Sequence, residues 1–150
     1  MDMKKRPDTW AELDSIFVTC DAGIKSAGDI EYLYEHLSNG YAYMAMTDYP
    51  YPANFLEPMP AWPVAESTIP FIDIPTLGEL SLSMYASKYQ EILDMINGGI
   101  SDREALLLNA LHESTNVYFN YTGAYPCTNL SDWEGTGSLD GFGWNILACN

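Results

Sequence analysis

The sequence predicts an all-α fold: a bundle of about four helices with one long proline-rich loop, in a single unit spanning 1–150. Three observations carry that expectation. Apolar residues recur at three- and four-residue spacing over most of the chain, which places them on one stripe of a helix. Ser or Thr followed three residues later by an acid stands at the head of several of these stretches, the form of a helix N-cap. No stretch shows the apolar–polar alternation of a half-buried strand.

The first helix is expected near 9–20. Thr9-Trp10-Ala11-Glu12 has the capping-box form, and Leu13, Ile16, Phe17 and Cys20 follow at helical spacing. Gly23 is a natural stop. A second helix near 28–46 opens after Ser26-Ala27-Gly28-Asp29, with Ile30, Leu33, Tyr34, Leu37, Tyr41, Met44 and Ala45 as its apolar face. Ser38-Asn39-Gly40 predicts a bend or split in it. Pro50 and Pro52 end it, because the residue before a proline is pushed out of the helical region.

Residues 49–75 hold seven of the nine prolines and predict an ordered but irregular loop. Its Tyr49, Tyr51, Phe55, Leu56, Trp62 and Phe71 are too apolar for a free linker. Pro60-Ala61-Trp62-Pro63 has the PxxP form, but a stiffened loop packing its aromatics on the helices is favoured over an SH3-type ligand. A third helix is expected near 77–97, with Leu80, Met84, Tyr85, Ile92, Leu93 and Ile96 facing inward and Asn97-Gly98-Gly99 closing it. Ser101-Asp102-Arg103-Glu104 is a second capping box and starts a fourth helix near 102–119, with Leu106, Leu107, Ala110, Leu111, Ser114 and Val117 as its stripe. The tail 123–150 lacks periodicity until Trp144 and reads as irregular.

Charge narrows the function. Six basic against 21 acidic residues give a net charge of −15. Nucleic acid and anionic membrane surfaces both demand Lys and Arg, so neither is expected as a partner. The acidity fits work at low pH, or equally a surface kept soluble. No apolar run approaches the roughly 20 residues that span a bilayer. The basic start leads to no apolar h-region, so no signal peptide is expected here. Yet Asn120-Tyr121-Thr122 and Asn129-Leu130-Ser131 are both glycosylation sequons. Secretory features without a secretory signal imply that Met1 is not the natural start. Cys20, Cys127 and Cys149 make an odd count, which leaves one thiol over if two pair, or three reduced and buried.

A search for chemistry finds little. There is no G-x-S-x-G elbow, no Gly-rich phosphate loop and no H-E-x-x-H. Neither the cysteine spacing nor the two histidines fit a metal site, and no cofactor is expected. His36 and His112 read as helix-surface residues. Tyr41, Tyr43, Tyr49, Tyr51 and Trp62 either pack in the core or line an apolar pocket. Taken alone, these patterns describe an acidic, mainly helical domain with no catalytic residue.

Three ordered blocks add a resemblance. The run from Met44 to Val64, Met44-Ala45-Met46-Thr47-Asp48-Tyr49-Pro50-Tyr51 through Phe55-Leu56-Glu57-Pro58-Met59-Pro60-Ala61-Trp62-Pro63, resembles the "AMxDYPYxxxFLxPLPAxP" stretch of the Pro-X carboxypeptidase and lysosomal dipeptidyl peptidase family. Asn116-Val117-Tyr118 with Asn120-Tyr121-Thr122-Gly123 is similar to that family's "LNVYYNYSG". Gly143-Trp144-Asn145-Ile146-Leu147-Ala148-Cys149 is similar to its "GWxYQAC".

The resemblance implies that this chain is the helical cap inserted into an α/β-hydrolase whose Ser-Asp-His triad lies outside it. The partner is then that hydrolase domain, the substrates are peptides with proline near the cleaved end, and the setting is lysosomal or secreted. It implies a Cys20–Cys127 disulfide, with Cys149 left for a partner elsewhere, and glycans on Asn120 and Asn129. Trp144 and Asn145 fall where the family chain returns to the catalytic domain and are its substrate-access candidates. The uncharged Asn145 leans toward the carboxypeptidase branch. Thr68 stands where the family carries a further cysteine, so a second cap disulfide is absent. A stand-alone helical binding domain derived from such a cap is the alternative.

Overall fold

The computed structural model describes residues 3–20, 23–54, 56–72, 74 and 90–130. Two 3-10 turns, Met3–Lys5 and Pro7–Thr9, lead into helix α1, Trp10–Phe17. Helix α2 is Ala27–Met46, α3 is Pro63–Ile72 and α4 is Asp102–Phe119. Residues 90–93 are helical as well. Helix α4 packs against α1, α2 and α3 and is the centre of the arrangement. Among the described residues there is no strand, only the isolated bridges Thr19–Thr128 and Ala53–Met59.

Helices α2 and α4 begin as their sequences dictate. The Ser26 hydroxyl accepts the Asp29 N–H while the Asp29 carboxylate accepts the Ser26 N–H. Ser101 and Glu104 repeat that exchange at α4. Each reciprocal pair satisfies donors that the first turn leaves over.

Helix α1 begins differently. Thr9 makes no side-chain cap; its hydroxyl donates to the Arg6 carbonyl at 2.7 Å. Glu12, only 3% exposed, reaches across the molecule. Its carboxylate accepts the N–H groups of Asn97 at 2.6 Å, Gly99 at 3.0 Å and Ile100 at 2.6 Å. A Cβ on Gly99 would sit 3.1 Å from Glu12 Oε2 and 3.2 Å from the Asp8 carbonyl, so a side chain there would press on both. Helix α1 also ends at Phe17 rather than near 20, because Val18 adopts the left-handed conformation at φ 47°.

The main core joins Leu13, Ile16 and Phe17 of α1, Ile30 and Leu33 of α2, and Ile24, Ile100 and Ala105. A second cluster holds Met44, Met59 and Tyr118, flanked by Tyr41, Tyr43, Leu56, Val117 and Phe119. Tyr34, assigned above to the buried face of α2, is 72% exposed, and Ala45 is exposed too. Leu107 of α4 is also exposed, while Ala105, Thr115 and Tyr118 are buried.

Two expectations need correction. The loop expected at 49–75 contains α3: Pro63 occupies its first turn, where a missing N–H costs nothing, and only Pro70 lies in its interior. The PxxP run therefore has Pro60 and Pro63 buried at a helix start, not displayed as an extended ligand. The split expected at Ser38-Asn39-Gly40 is absent; α2 runs through it unbroken. Gly40 is there for packing, since a Cβ at that position would lie 2.8 Å from the Phe119 ring. Of the helix expected near 77–97, residues 75–89 lie outside the described residues; the helical turn at 90–93 gives way at Asp94 and Met95.

Candidate interaction face

The segment 47–62 is pinned into a fixed shape. Thr47 donates its hydroxyl to the Tyr43 carbonyl at 2.6 Å as α2 ends. Ala53 and Met59 exchange backbone hydrogen bonds of 3.2 and 2.8 Å, which draws the proline-rich chain into a closed loop. At its neck the Trp62 N–H donates to the Tyr49 carbonyl at 2.7 Å. Asp48 then accepts the Val64 N–H at 3.2 Å, a carboxylate at the positive end of α3.

The aromatics at the end of α2 and in the loop after it divide between two jobs. Tyr43 stacks on Tyr118 with ring centres 5.1 Å apart, inside the second cluster. Tyr41 joins a buried polar bridge. Ser114 donates to the Ser67 carbonyl at 2.6 Å, and its single proton is thereby committed. The Tyr41 hydroxyl, 2.8 Å from Ser114 Oγ, is then the donor to it, and α2, α3 and α4 meet at one point.

Tyr49, Tyr51 and Trp62 face outward instead. Tyr51 is 58% and Trp62 52% exposed, and the Tyr49 and Tyr51 rings stack at 5.4 Å with 4° between planes. Trp62 holds φ at 54°, a left-handed backbone that a bulky side chain rarely adopts. Strain of this kind persists where surrounding structure over-determines it and clusters at functional sites. Met46 and Val64 are exposed beside these residues in the chain. Burial pushes the Glu57 carboxyl of the same loop up, and burial with the nearby Tyr43 and Glu57 raises the Tyr118 hydroxyl.

At the other end of α1 a disulfide joins Cys20 to Cys127 across 107 residues. Around it Cys20 N–H donates to the Thr128 carbonyl at 2.9 Å and Thr128 N–H to the Val18 carbonyl at 2.8 Å. Asn120 is held by one residue: its Nδ2 donates to the Tyr125 carbonyl and its Oδ1 accepts the Tyr125 N–H. Asn129 is exposed. Trp144, Asn145 and Cys149 lie outside the described residues. Both histidines depart from the surface reading. His36 stacks on Phe119 and His112 packs on Phe17, and each is half-buried.

No family model matches the chain. Curated proteins do. Human lysosomal Pro-X carboxypeptidase is 34% identical over 121 residues, 81% of this chain and 19% of that protein. This chain is homologous to a segment of the lysosomal Pro-X carboxypeptidases. The bovine member is 31% identical over the same share, and the putative serine protease pcp-1 of Caenorhabditis elegans is 33% identical over 77% of this chain and 17% of its own length. The chain thus spans about a fifth of the family members it matches. The mammalian relatives are named lysosomal, and among the described residues no helix is long and apolar enough to cross a membrane.

The sequence pattern of the five aromatics of this region does not separate the buried from the displayed. The signal that separates them is three-dimensional: Tyr41 and Tyr43 lie on α2 facing α4, while Tyr49, Tyr51 and Trp62 lie beyond the helix end.

Proposed function

We propose that this chain is the helical cap of a proline-directed serine exopeptidase, gating access to a Ser-Asp-His site carried by an α/β-hydrolase domain of the same parent protein. The carrying observation is the displayed face. Tyr49, Tyr51 and Trp62 sit in the run that matches the family, yet the chain's own core leaves them uncovered. Exposed apolar residues on a clamped backbone are suited to a fixed partner surface. The relatives' names supply the chemistry: a Pro-X carboxypeptidase, a serine protease and a prolyl carboxypeptidase-like protein.

In this reading the chain contributes no catalytic atom. A cap excludes water and bulky substrates, and its closure completes the pocket. Trp144 and Asn145 are its candidates for substrate access, and the uncharged Asn145 leans toward the carboxypeptidase branch rather than the dipeptidyl peptidase branch. Glycans on Asn120 and Asn129 and a lysosomal setting belong to the same proposal.

Sequencing the transcript on both sides of the segment tests it. A G-x-S-x-G upstream, with an aspartate and a histidine downstream, is the expected result. Stop codons on both sides would leave a cap without an enzyme and overturn the reading.

A further inference from the structure

Helices α2 and α4 meet through an unusual slot. His36 and Gly40 are four residues apart and share one face of α2. The bare backbone of Gly40 admits the Phe119 ring, and the His36 imidazole lies flat on that ring, centres 3.7 Å apart and planes 17° apart. Two turns earlier on the same face of α4, His112 tilts against Phe17 at 5.5 Å, lies 3.4 Å from the Thr128 hydroxyl and has the Ile16 carbonyl favouring its proton. One imidazole therefore sits in each of the seams that α4 makes with α2 and α1.

We propose that His36 and His112 form a proton-operated catch, which holds α4 against α2 and α1 while both rings are neutral and loosens as they take up protons. The groups facing them from each packed element give the charges little relief. Helix α1 presents only the Ile16 carbonyl and the Phe17 ring, and the segment after α4 presents the Thr128 hydroxyl. On α4 the Glu113 carboxylate lies beside His112 and favours its protonation, but the charge acting on His36 is that of His112, which opposes it. Burial, with that repulsion second, lowers the His36 imidazole to about 4 from an ordinary 6.5, and burial lowers His112 as well. The acidic surface draws protons toward the molecule, but ionic screening over about 8–10 Å weakens it, whereas desolvation acts at the ring itself.

An imidazole harder to protonate in the folded state takes its proton in the opened one. Closure is therefore full above about pH 6.5 and is lost as pH falls toward 4. The two seams respond unequally. The Cys20–Cys127 disulfide tethers the end of α1 to the segment carrying Thr128, while no covalent link joins α2 to α4. Opening therefore begins at the His36 seam, one turn from the Tyr41–Ser114 bond that leads to the aromatic face. The catch is independent of what the chain caps.

The test uses the 150-residue chain itself. Imidazole titration by NMR from pH 8 to 3.5 is expected to place His36 near 4, well below a free imidazole. Hydrogen exchange of the α2 and α4 amides, corrected for intrinsic chemistry, is expected to show opening about thirtyfold more frequent at pH 5 than at pH 8. His36→Phe keeps a ring on Phe119 and is expected to remove most of that rise. A His36 that titrates near 6.5 in the folded chain overturns the proposal, and so does a His36→Phe variant with the wild-type rise. Should His36→Phe fail to fold, the wild-type titration still decides.

Discussion

The Glu12 carboxylate accepts the Ile100 N–H at 2.6 Å, so a side chain of α1 fixes the turn that launches α4. Asn97 and Gly99 add their own N–H groups to the same carboxylate. Arg6 closes the arrangement, donating to the Gly99 carbonyl and pairing with Glu104 at 3.6 Å. Glu12→Ala removes the acceptor of three N–H groups, that of Ile100 buried and the other two partly exposed, and is expected to cost about 2–3 kcal/mol, since hydrogen bonds to charged groups contribute more than neutral ones. Urea denaturation measures it. Arg6→Ala loses a partly exposed ion pair and the bond to the Gly99 carbonyl, and should cost about 1–2 kcal/mol.

Gly40→Ala sets two effects against each other. Alanine gains about 1 kcal/mol in helix propensity over glycine. The new Cβ would meet the Phe119 ring at 2.8 Å, and overpacking costs about 1–3 kcal/mol. The slot is enclosed by Thr115 and His36 as well as Phe119, so overpacking wins and the thermal midpoint falls.

Reducing the disulfide releases a loop of 107 residues. The chain-entropy argument puts the loss at about 4–5 kcal/mol. A paired Cys20→Ser and Cys127→Ser variant should show it in denaturant midpoints.

Tyr41→Phe and Ser114→Ala separate the two arms of the buried polar bridge. The first removes one donor and should cost about 1 kcal/mol. The second leaves the Tyr41 hydroxyl without its acceptor, removes the Ser67 carbonyl's bond to Ser114, and should cost about 2 kcal/mol. Both are read by thermal unfolding.

How much of this was legible depended on the distance between partners. The Ser26–Asp29 and Ser101–Glu104 boxes were readable because both halves lie within four residues. Thr9-Trp10-Ala11-Glu12 has the same spelling, but Glu12 serves donors 85 to 88 residues away, which no local pattern reveals. Gly40 looked like a break because its reason, Phe119, lies on another helix. Helix α3 was hidden by Pro63, which its first turn accepts without cost, and by Pro70 in its interior. His36 and His112 read as helix-surface residues, whereas Phe119 and Phe17 on other elements cover part of each. The Cys20–Cys127 pairing came from resemblance; the residues alone left it open.

Trp62 offers a division between backbone and side chain. Trp62→Gly suits the left-handed φ of 54° and removes strain of about 1 kcal/mol or more, so the variant should fold at least as stably. Any loss in binding or gating would then report the missing ring alone.

The most direct measurement grafts this chain in place of the matching segment of human lysosomal Pro-X carboxypeptidase and follows hydrolysis of a prolyl peptide. The cap reading predicts that the graft hydrolyses the substrate, and that Trp62→Ala with Tyr51→Ala lowers kcat/KM at least tenfold in a graft that still folds. A folded graft with unchanged hydrolysis after both substitutions, or with none before them, would contradict it.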